Sequence, residues 1–262
     1  MKIVAINGSH RGTLGYTQYL LNLIEKGAKN GNADFETIVL AKKKINMCKG
    51  CRVCHSDKHY LECVYNDVDD VKAIFETIKK ADILIYATPI YIFTISALLK
   101  IFIERITSTA DSSIKTISDS GLFFHHITKE IASKPFLVIT TQDNIEDETN
   151  INVARYFETF SKFMDAPLLG VINRKLGGLI KHGKDSNAEN KYPIIKTVNN
   201  ALINCGEQLA QNGYVNKVTL KETNLPLIKK PAIIELLLKF DLIRNNKKIM
   251  SKVFEKAKAE MP

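Results

Sequence analysis

Nowhere does this chain approach the ~20 consecutive apolar residues that a helix needs to cross a bilayer. Its first apolar run, Lys2 to Asn7, is too short for the core of a secretory signal and enters a strand pattern at once. A soluble, cytoplasmic protein without membrane attachment is the expectation. Acidic residues are the scarcer charge, 28 Asp+Glu against 37 Lys+Arg, for a formal net charge of +9. A basic surface attracts phosphate backbones. Here, however, the lysines are scattered, aromatics do not alternate with them, and no helix-turn-helix or zinc-finger pattern is present. Nucleic acid is therefore not expected as a partner, and the same charge equally draws anionic dinucleotides or flavin. Two common nucleotide signatures are missing as well: no Gly-Lys-Ser/Thr stands at P-loop spacing, and there is no Gly-x-Gly-x-x-Gly turn. Internal repeats and low-complexity linkers are lacking too. With 262 residues, 45% of them apolar, the chain reads as one domain over 1–213 and a C-terminal extension over 214–262.

Apolar, strand-like runs stand at Lys2–Ile6, Phe35–Leu40, Asp82–Ala87, Phe136–Thr141 and Leu168–Asn173. Helical patterns fall between or after them at Thr17–Lys29, Val68–Lys80, Ile95–Ile106, Asn150–Met164 and Ile194–Asn212. This alternation predicts an α/β fold, a doubly wound five-stranded parallel sheet. In such sheets ligands bind at the carboxyl ends of the strands. The loops at 8–16, 41–66, 88–94 and 141–148 each follow a strand and should open on that edge. Two parts exceed the minimal unit. Thr109–Lys134 reads as a polar insertion carrying His125 and His126, more simply surface residues than pocket residues. The segment from Tyr214 contains a strand-like piece and the amphipathic stretch Ile233–Phe254, read first as a helix pair packed on its own domain, next as a dimer-stabilising arm, and last as a membrane-surface attachment.

Gly8-Ser9-His10-Arg11-Gly12-Thr13-Leu14-Gly15-Tyr16-Thr17 follows the first strand and opens a helix. Backbone N–H groups, hydroxyls and a helix N-terminus converge in such a loop, which suits a phosphate. Hydroxyls plus one Arg match the phosphate of a flavin mononucleotide. In Thr88-Pro89-Ile90-Tyr91-Ile92-Phe93-Thr94, after the third strand, Pro89 should stiffen a turn. Tyr91 and Phe93 there offer flat surface for stacking.

Four of the 5 cysteines share one loop: Cys48-x-x-Cys51-x-x-Cys54, then Cys63. Disulfides are not expected in a cytoplasmic protein. Three readings stay open: an iron–sulfur cluster on four thiolates, a structural zinc site with His55 or His59 as substitute ligands, or reduced thiols beside a redox cofactor. Cys205 reads as a small core residue.

Taken together, these segments resemble a known group. Gly8-Ser9-His10-Arg11 with Gly15-Tyr16-Thr17 is similar to a Gly-Ser-Pro-Arg loop followed by Ser-Asn-Thr. Cys48-x-Gly50-Cys51-x-x-Cys54 with Cys63 and Asp67 matches a cysteine segment many members carry. Ala87-Thr88-Pro89-Ile90-Tyr91, with Lys100 and Glu104-Arg105, is similar to a Pro-x-Tyr loop and its following helix. The group is the NADPH-dependent FMN reductases of the flavodoxin-like proteins, and within it the iron–sulfur flavoproteins. The order of elements supports the resemblance to about residue 215, and the specific motifs lie within the first 105 residues.

The resemblance implies a flavodoxin-like sheet, FMN at its carboxyl edge, NAD(P)H as co-substrate, and a homodimer or homotetramer. Ser9, Arg11, Gly15, Tyr16 and Thr17 would surround the phosphate. Pro89, Ile90, Tyr91, Ile92 and Phe93 would lie against the ring, and the loop Thr141, Gln142, Asp143 and Asn144 would complete that site. Cys48, Cys51, Cys54 and Cys63 would hold a 4Fe-4S cluster. His10, Tyr16 and Val68 depart from the pattern, Tyr16 by removing a short amide donor. The expected activity passes electrons from NAD(P)H to a quinone, nitro compound, flavin or protein acceptor. The cofactor carries this chemistry, so no catalytic side chain is nominated. The competing readings are an electron relay through flavin and cluster, and a binding module that has lost its flavin.

Overall fold

In the computed structural model, which describes residues 1–144, 146–177, 193–227, 246–249 and 251–252, the apolar runs form strands and the amphipathic segments cover them. In chain order the elements are β1 (Lys2–Asn7), α1 (Tyr16–Asn30), β2 (Asp34–Val39), α2 (Val71–Lys79), β3 (Ile83–Tyr91), β4 (Thr94–Ile95), α3 (Ala97–Glu104) and β5 (Ala110–Ile117). They continue as β6 (Phe123–Ile127), α4 (Lys129–Ala132), β7 (Phe136–Thr141), α5 (Glu148–Met164), β8 (Leu168–Arg174), α6 (Pro193–Asn212) and α7 (Lys217–Thr223).

The main sheet runs β2-β1-β3-β7-β8, and every pairing along it is parallel. Counting these strands alone, the order is 2-1-3-4-5, the flavodoxin-like doubly wound arrangement. The expected fold class is the one observed. Its switch point lies between β1 and β3, so their carboxyl ends open the crevice where such folds bind ligands.

Strand alternation divides the core. Val4, Ile6, Leu84, Tyr86 and Val138 face a layer with α2, α3 and α5. Ile3, Ala5, Ile83, Ile85, Leu137 and Ile139 face the layer with α1 and α6. Both faces are covered, which is why these strands read as continuous apolar runs. Helices α1 and α6 touch backbone to backbone at two glycines. A Cβ on Gly27 would stand 1.7 Å from the Ile203 carbonyl oxygen, and one on Gly206 2.0 Å from that of Ile24. No larger residue fits at either position.

Two segments differ from the sequence expectation, and a third gains detail. The polar insertion holds β5 and β6, paired as an antiparallel hairpin with a register shift between Asp111 and Lys115, and α4 follows. The strand-like piece after Tyr214 is the helix α7, whose N-cap Asn216 accepts a hydrogen bond from Thr219 N at 2.8 Å. That cap satisfies a helix-end donor, which outweighs the β-branched content of Val218 and Thr219. Residues 214–227 also lean on the sheet: Val215 is buried in the α1/α6 layer, and Arg174 of β8 donates to the Thr223 and Leu225 carbonyls at 2.9 and 2.8 Å. The amphipathic stretch Ile233–Phe254 lies largely outside the described residues. Finally, Thr88–Thr94 is no free loop, because β3 continues through Tyr91 and folds back on β4. Pro89 therefore sits in a strand, opposite Thr141, and the turn falls at Ile92 and Phe93.

Candidate flavin cleft and cysteine cavity

The turn between β3 and β4 pairs Tyr91 with Thr94 and leaves two residues at its tip. Ile92 has φ +46° and Phe93 φ +68°, the doubly left-handed geometry of a tight hairpin that Asn-Gly or Gly-Gly usually supplies. Here a β-branched residue and an aromatic occupy it, both exposed, Ile92 to 87% and Phe93 to 66%. Backbone in this region is strained for side chains like these, and such strain gathers at ligand contacts. Tyr91 packs against His10, with ring centroids 5.8 Å apart. His10, a departure from the family pattern, thus braces the hairpin from the first loop.

That first loop is built on the buried side chain of Asn7. Its amide donates to Gln18 Oε1 at 2.8 Å and its oxygen accepts from Ser9 N at 2.9 Å. Gly15 is the N-cap of α1 and contributes no side-chain cap. The first N–H groups of that helix are open to an anion. Arg11 lies over the Tyr16 ring, 5.6 Å from its centroid. Tyr16 replaces a short amide donor with a platform for the guanidinium. Thr17 Oγ1 meets Thr141 Oγ1 at 3.2 Å, joining this loop to the end of β7.

The third wall follows β7. Gln142 is buried, and its side chain is spent internally: Nε2 donates to the carbonyls of Asn144 and Glu146, and Oε1 accepts from Thr149. It shapes the loop rather than offering polar groups to a ligand. These three walls enclose one cleft of about 330 Å³, and every residue nominated for flavin lines it: Ser9, Arg11, Gly15, Tyr16, Thr17, Pro89 to Phe93, Thr141, Gln142 and Asp143. The volume falls within the usual range for small-molecule sites, roughly 300–1,000 Å³. Asn144, expected with the loop after β7, lines it too, and Thr149 and Gly177 join without having been foreseen. Gly177 carries no sequence signal, but a Cβ there would come within 2.6 Å of Asp143 Oδ1 and 3.2 Å of the Tyr16 ring. Ser96, also missed, caps α3 and ties the hairpin base to the first loop by donating to the Gly8 carbonyl at 2.6 Å.

The four clustered cysteines line a second cavity, of about 750 Å³. Its loop is clasped at both ends. Lys44 N donates to the Asp70 carboxylate at 2.7 Å and Asn46 N to that of Asp69 at 3.0 Å. Arg105 completes the clasp, donating to the Asn46 carbonyl at 2.9 Å and pairing with Asp69. The acidic partner of Arg105 is Asp69, a residue to which the sequence reading gave no role. Farther along, the Tyr60 hydroxyl donates to the Asp111 carboxylate on β5. Gly50, Arg52 and Leu61 hold left-handed backbone in this loop. Desolvation by burial pushes the Cys54 thiol up, and the charges of Cys63, Cys51 and Cys48 add to that. Among the described residues, no three His, Cys, Asp or Glu side chains stand close enough to hold a metal ion. What the cavity does supply is the donor chemistry of a soft metal centre: four thiols, with Lys49, Arg52, His55 and Arg105 beside them.

Fold and cleft together define a flavodoxin-like protein with a mononucleotide-sized crevice at the switch point of its sheet. Residues 1–143 match the family model for NADPH-dependent FMN reductase, and the chain belongs to that family. It is similar to an iron–sulfur flavoprotein of Archaeoglobus fulgidus, 35% identical over 106 residues, 40% of this chain and 45% of the relative. An iron–sulfur flavoprotein of Methanocaldococcus jannaschii is 33% identical over 105 residues, 40% of this chain and 51% of the relative. The chain thus spans about half the length of these curated relatives. Among solved structures, an FMN-dependent NADH-azoreductase from Bacillus anthracis in complex with FMN superposes with a TM-score of 0.55 at 14% identity, over 80% of this chain and 99% of that one. At that identity the likeness concerns the fold. No helix among the described residues is long and apolar enough to cross a membrane.

Proposed function

We propose that the protein is an FMN-dependent NAD(P)H oxidoreductase whose flavin site is the cleft between the first loop, the β3–β4 hairpin and the loop after β7. The observation carrying this is the convergence on one crevice of an uncapped helix N-terminus, a hydroxyl-lined loop with Arg11, and a strained aromatic hairpin. When bound, FMN supplies the redox chemistry, taking hydride from the nicotinamide and passing electrons to an acceptor. The protein's part is binding and orientation. Ser9, Thr17 and the first N–H groups of α1 would meet the phosphate, with Arg11 held over Tyr16 as its counter-charge. Pro89 to Phe93 would present a preset surface to the ring, and Gln142 would keep the opposite wall in register through its internal hydrogen bonds. The acceptor class is a quinone, nitro compound, flavin or protein. The working form is a soluble, cytoplasmic homo-oligomer, with a flavin domain over 1–213 supported by the segment from 214.

A second reading is supported by the cysteine cavity. Cys48, Cys51, Cys54 and Cys63 would hold a 4Fe-4S cluster, and the protein would relay single electrons between carriers. The test for both is one sample purified without oxygen, examined by visible absorption, iron and acid-labile sulfide, and then by NADPH addition. Flavin bands that bleach on NADPH addition are expected for the reductase. Stoichiometric iron and sulfide with no response to NADPH would favour the relay. A protein that takes up no FMN on reconstitution would overturn both.

A further inference from the structure

Arg105 is one of the largest fully buried side chains, 1% exposed, and it lines the cavity of Cys48, Cys51, Cys54 and Cys63. Only one nitrogen of its guanidinium is engaged: Nη1 serves both the Asn46 carbonyl and the Asp69 carboxylate. Nε and Nη2 are buried with no hydrogen-bond partner. Buried donors are almost always satisfied in a native fold, and two orphans on one cation point to a ligand that meets them. The surroundings specify the charge of that ligand. Lys49 and Arg105 stand 5.6 and 5.3 Å from the Tyr65 ring centroid. Arg52 and His55 add further basic groups, and the described residues lining the cavity include no carboxylate. Asp69 occupies Nη1 alone, so an anionic ligand beside the four thiols would answer the two remaining donors.

We propose that Arg105 is the positioning and charge-compensating residue of a sulfur-rich anionic centre, an iron–sulfur cluster on Cys48, Cys51, Cys54 and Cys63. Its Nε–H and Nη2–H serve as donors to the sulfur of that centre, and Asp69 holds the guanidinium in place. The inference rests on the cluster reading given under the proposed function. A cluster ligated by four thiolates is anionic and gains a further negative charge when it accepts an electron. N–H donors and a buried cation stabilise the reduced form more than the oxidised one, so they raise the reduction potential.

The test compares wild type with D69N, R105K and the double variant R105M/D69N. Each is reconstituted anaerobically with iron and sulfide, then assayed for iron, acid-labile sulfide and cluster midpoint potential. D69N and R105M/D69N both lack the carboxylate, so the difference between them is the guanidinium alone. The double variant is expected to carry its cluster at a more negative midpoint than D69N. R105K keeps the ion pair but loses the two free donors, and a smaller negative shift from wild type is expected. Should the double variant lose its fold or its iron, R105K carries the comparison. A loaded variant with an unshifted midpoint overturns the role of Arg105 and leaves the cluster standing. Wild type that takes up no iron, or only zinc, overturns the cluster reading itself.

Discussion

The Asn152 side-chain amide, on α5, donates to the Phe93 carbonyl at 2.8 Å, so the strained tip of the β3–β4 hairpin is held by a helix outside its own unit. Asn152→Ala removes that tether while leaving the exposed turn in place. FMN affinity is expected to weaken about 3–10-fold, on the order of 1 kcal/mol, with little change in the unfolding midpoint. Fluorescence titration of the apo-protein with FMN measures this, and unaltered affinity would show that the tether is idle.

Ile92 occupies left-handed backbone with a β-branched side chain. That region costs an L-residue roughly 1–2 kcal/mol, and Asn tolerates it better. Ile92→Asn is therefore expected to stabilise the flavin-free protein by about 1 kcal/mol in urea unfolding. A lower midpoint would mean that the turn stores no strain.

The Thr17 and Thr141 hydroxyls share a buried contact. Removing either one leaves the other without its partner, at a cost of roughly 1–2 kcal/mol. Removing both leaves no orphan. The double variant T17V/T141V is expected to lose less stability than the sum of the two single variants. A double-mutant cycle in denaturant reads this directly, and strict additivity would dissolve the pair.

Acid should loosen the cysteine loop. Burial alone would raise the Asp69 carboxyl, but Arg105 and the backbone N–H groups of Asn46 and Val71 outweigh it and hold the group below its ordinary 3.8. A depressed folded-state value means the stabilisation is complete above the unfolded-state value and is lost as pH falls through the folded one. Wild type should thus exceed D69N in stability at neutral pH, with the gap closing below about pH 4. A gap independent of pH would show that the charge of Asp69 does not matter.

Thiol reactivity should rank by exposure and thiolate content. Cys51 is exposed, the burial-raised Cys54 is half-buried, and Cys205 is buried with its thiol pushed up to about 12 by desolvation. In the metal-free protein, iodoacetamide is expected to label Cys51 before Cys54, and Cys205 only on unfolding. Mass spectrometry over time gives the order, and early labelling of Cys205 would contradict its packing.

Much of this molecule was legible before folding. Strands buried on both faces leave unbroken apolar runs, so β1, β3 and β7 announced themselves together with their alternation with helices. The loops that follow them carry Gly, Ser, Thr and Arg at a position that parallel topology places on one edge. What stayed hidden depends on contacts between distant segments. The clasp of Asp69 with Arg105, the cap of Ser96 against Gly8 and the place of Gly177 beside Tyr16 follow no local period. The hairpin at Ile92 and Phe93 lacks the Asn or Gly of a usual tight turn, so its strand reads as a loop.

Local pattern was enough to establish the fold class, the edge of the sheet on which the loops open, and the donor types those loops carry. Each of those follows from local pattern and from topology that local pattern nearly dictates. Which donors remain unsatisfied depends on packing between distant segments. Burial, strain and pairing are properties of neighbours brought together by the fold, and it is these that distinguish the spent amide of Gln142 from the half-satisfied, buried guanidinium of Arg105.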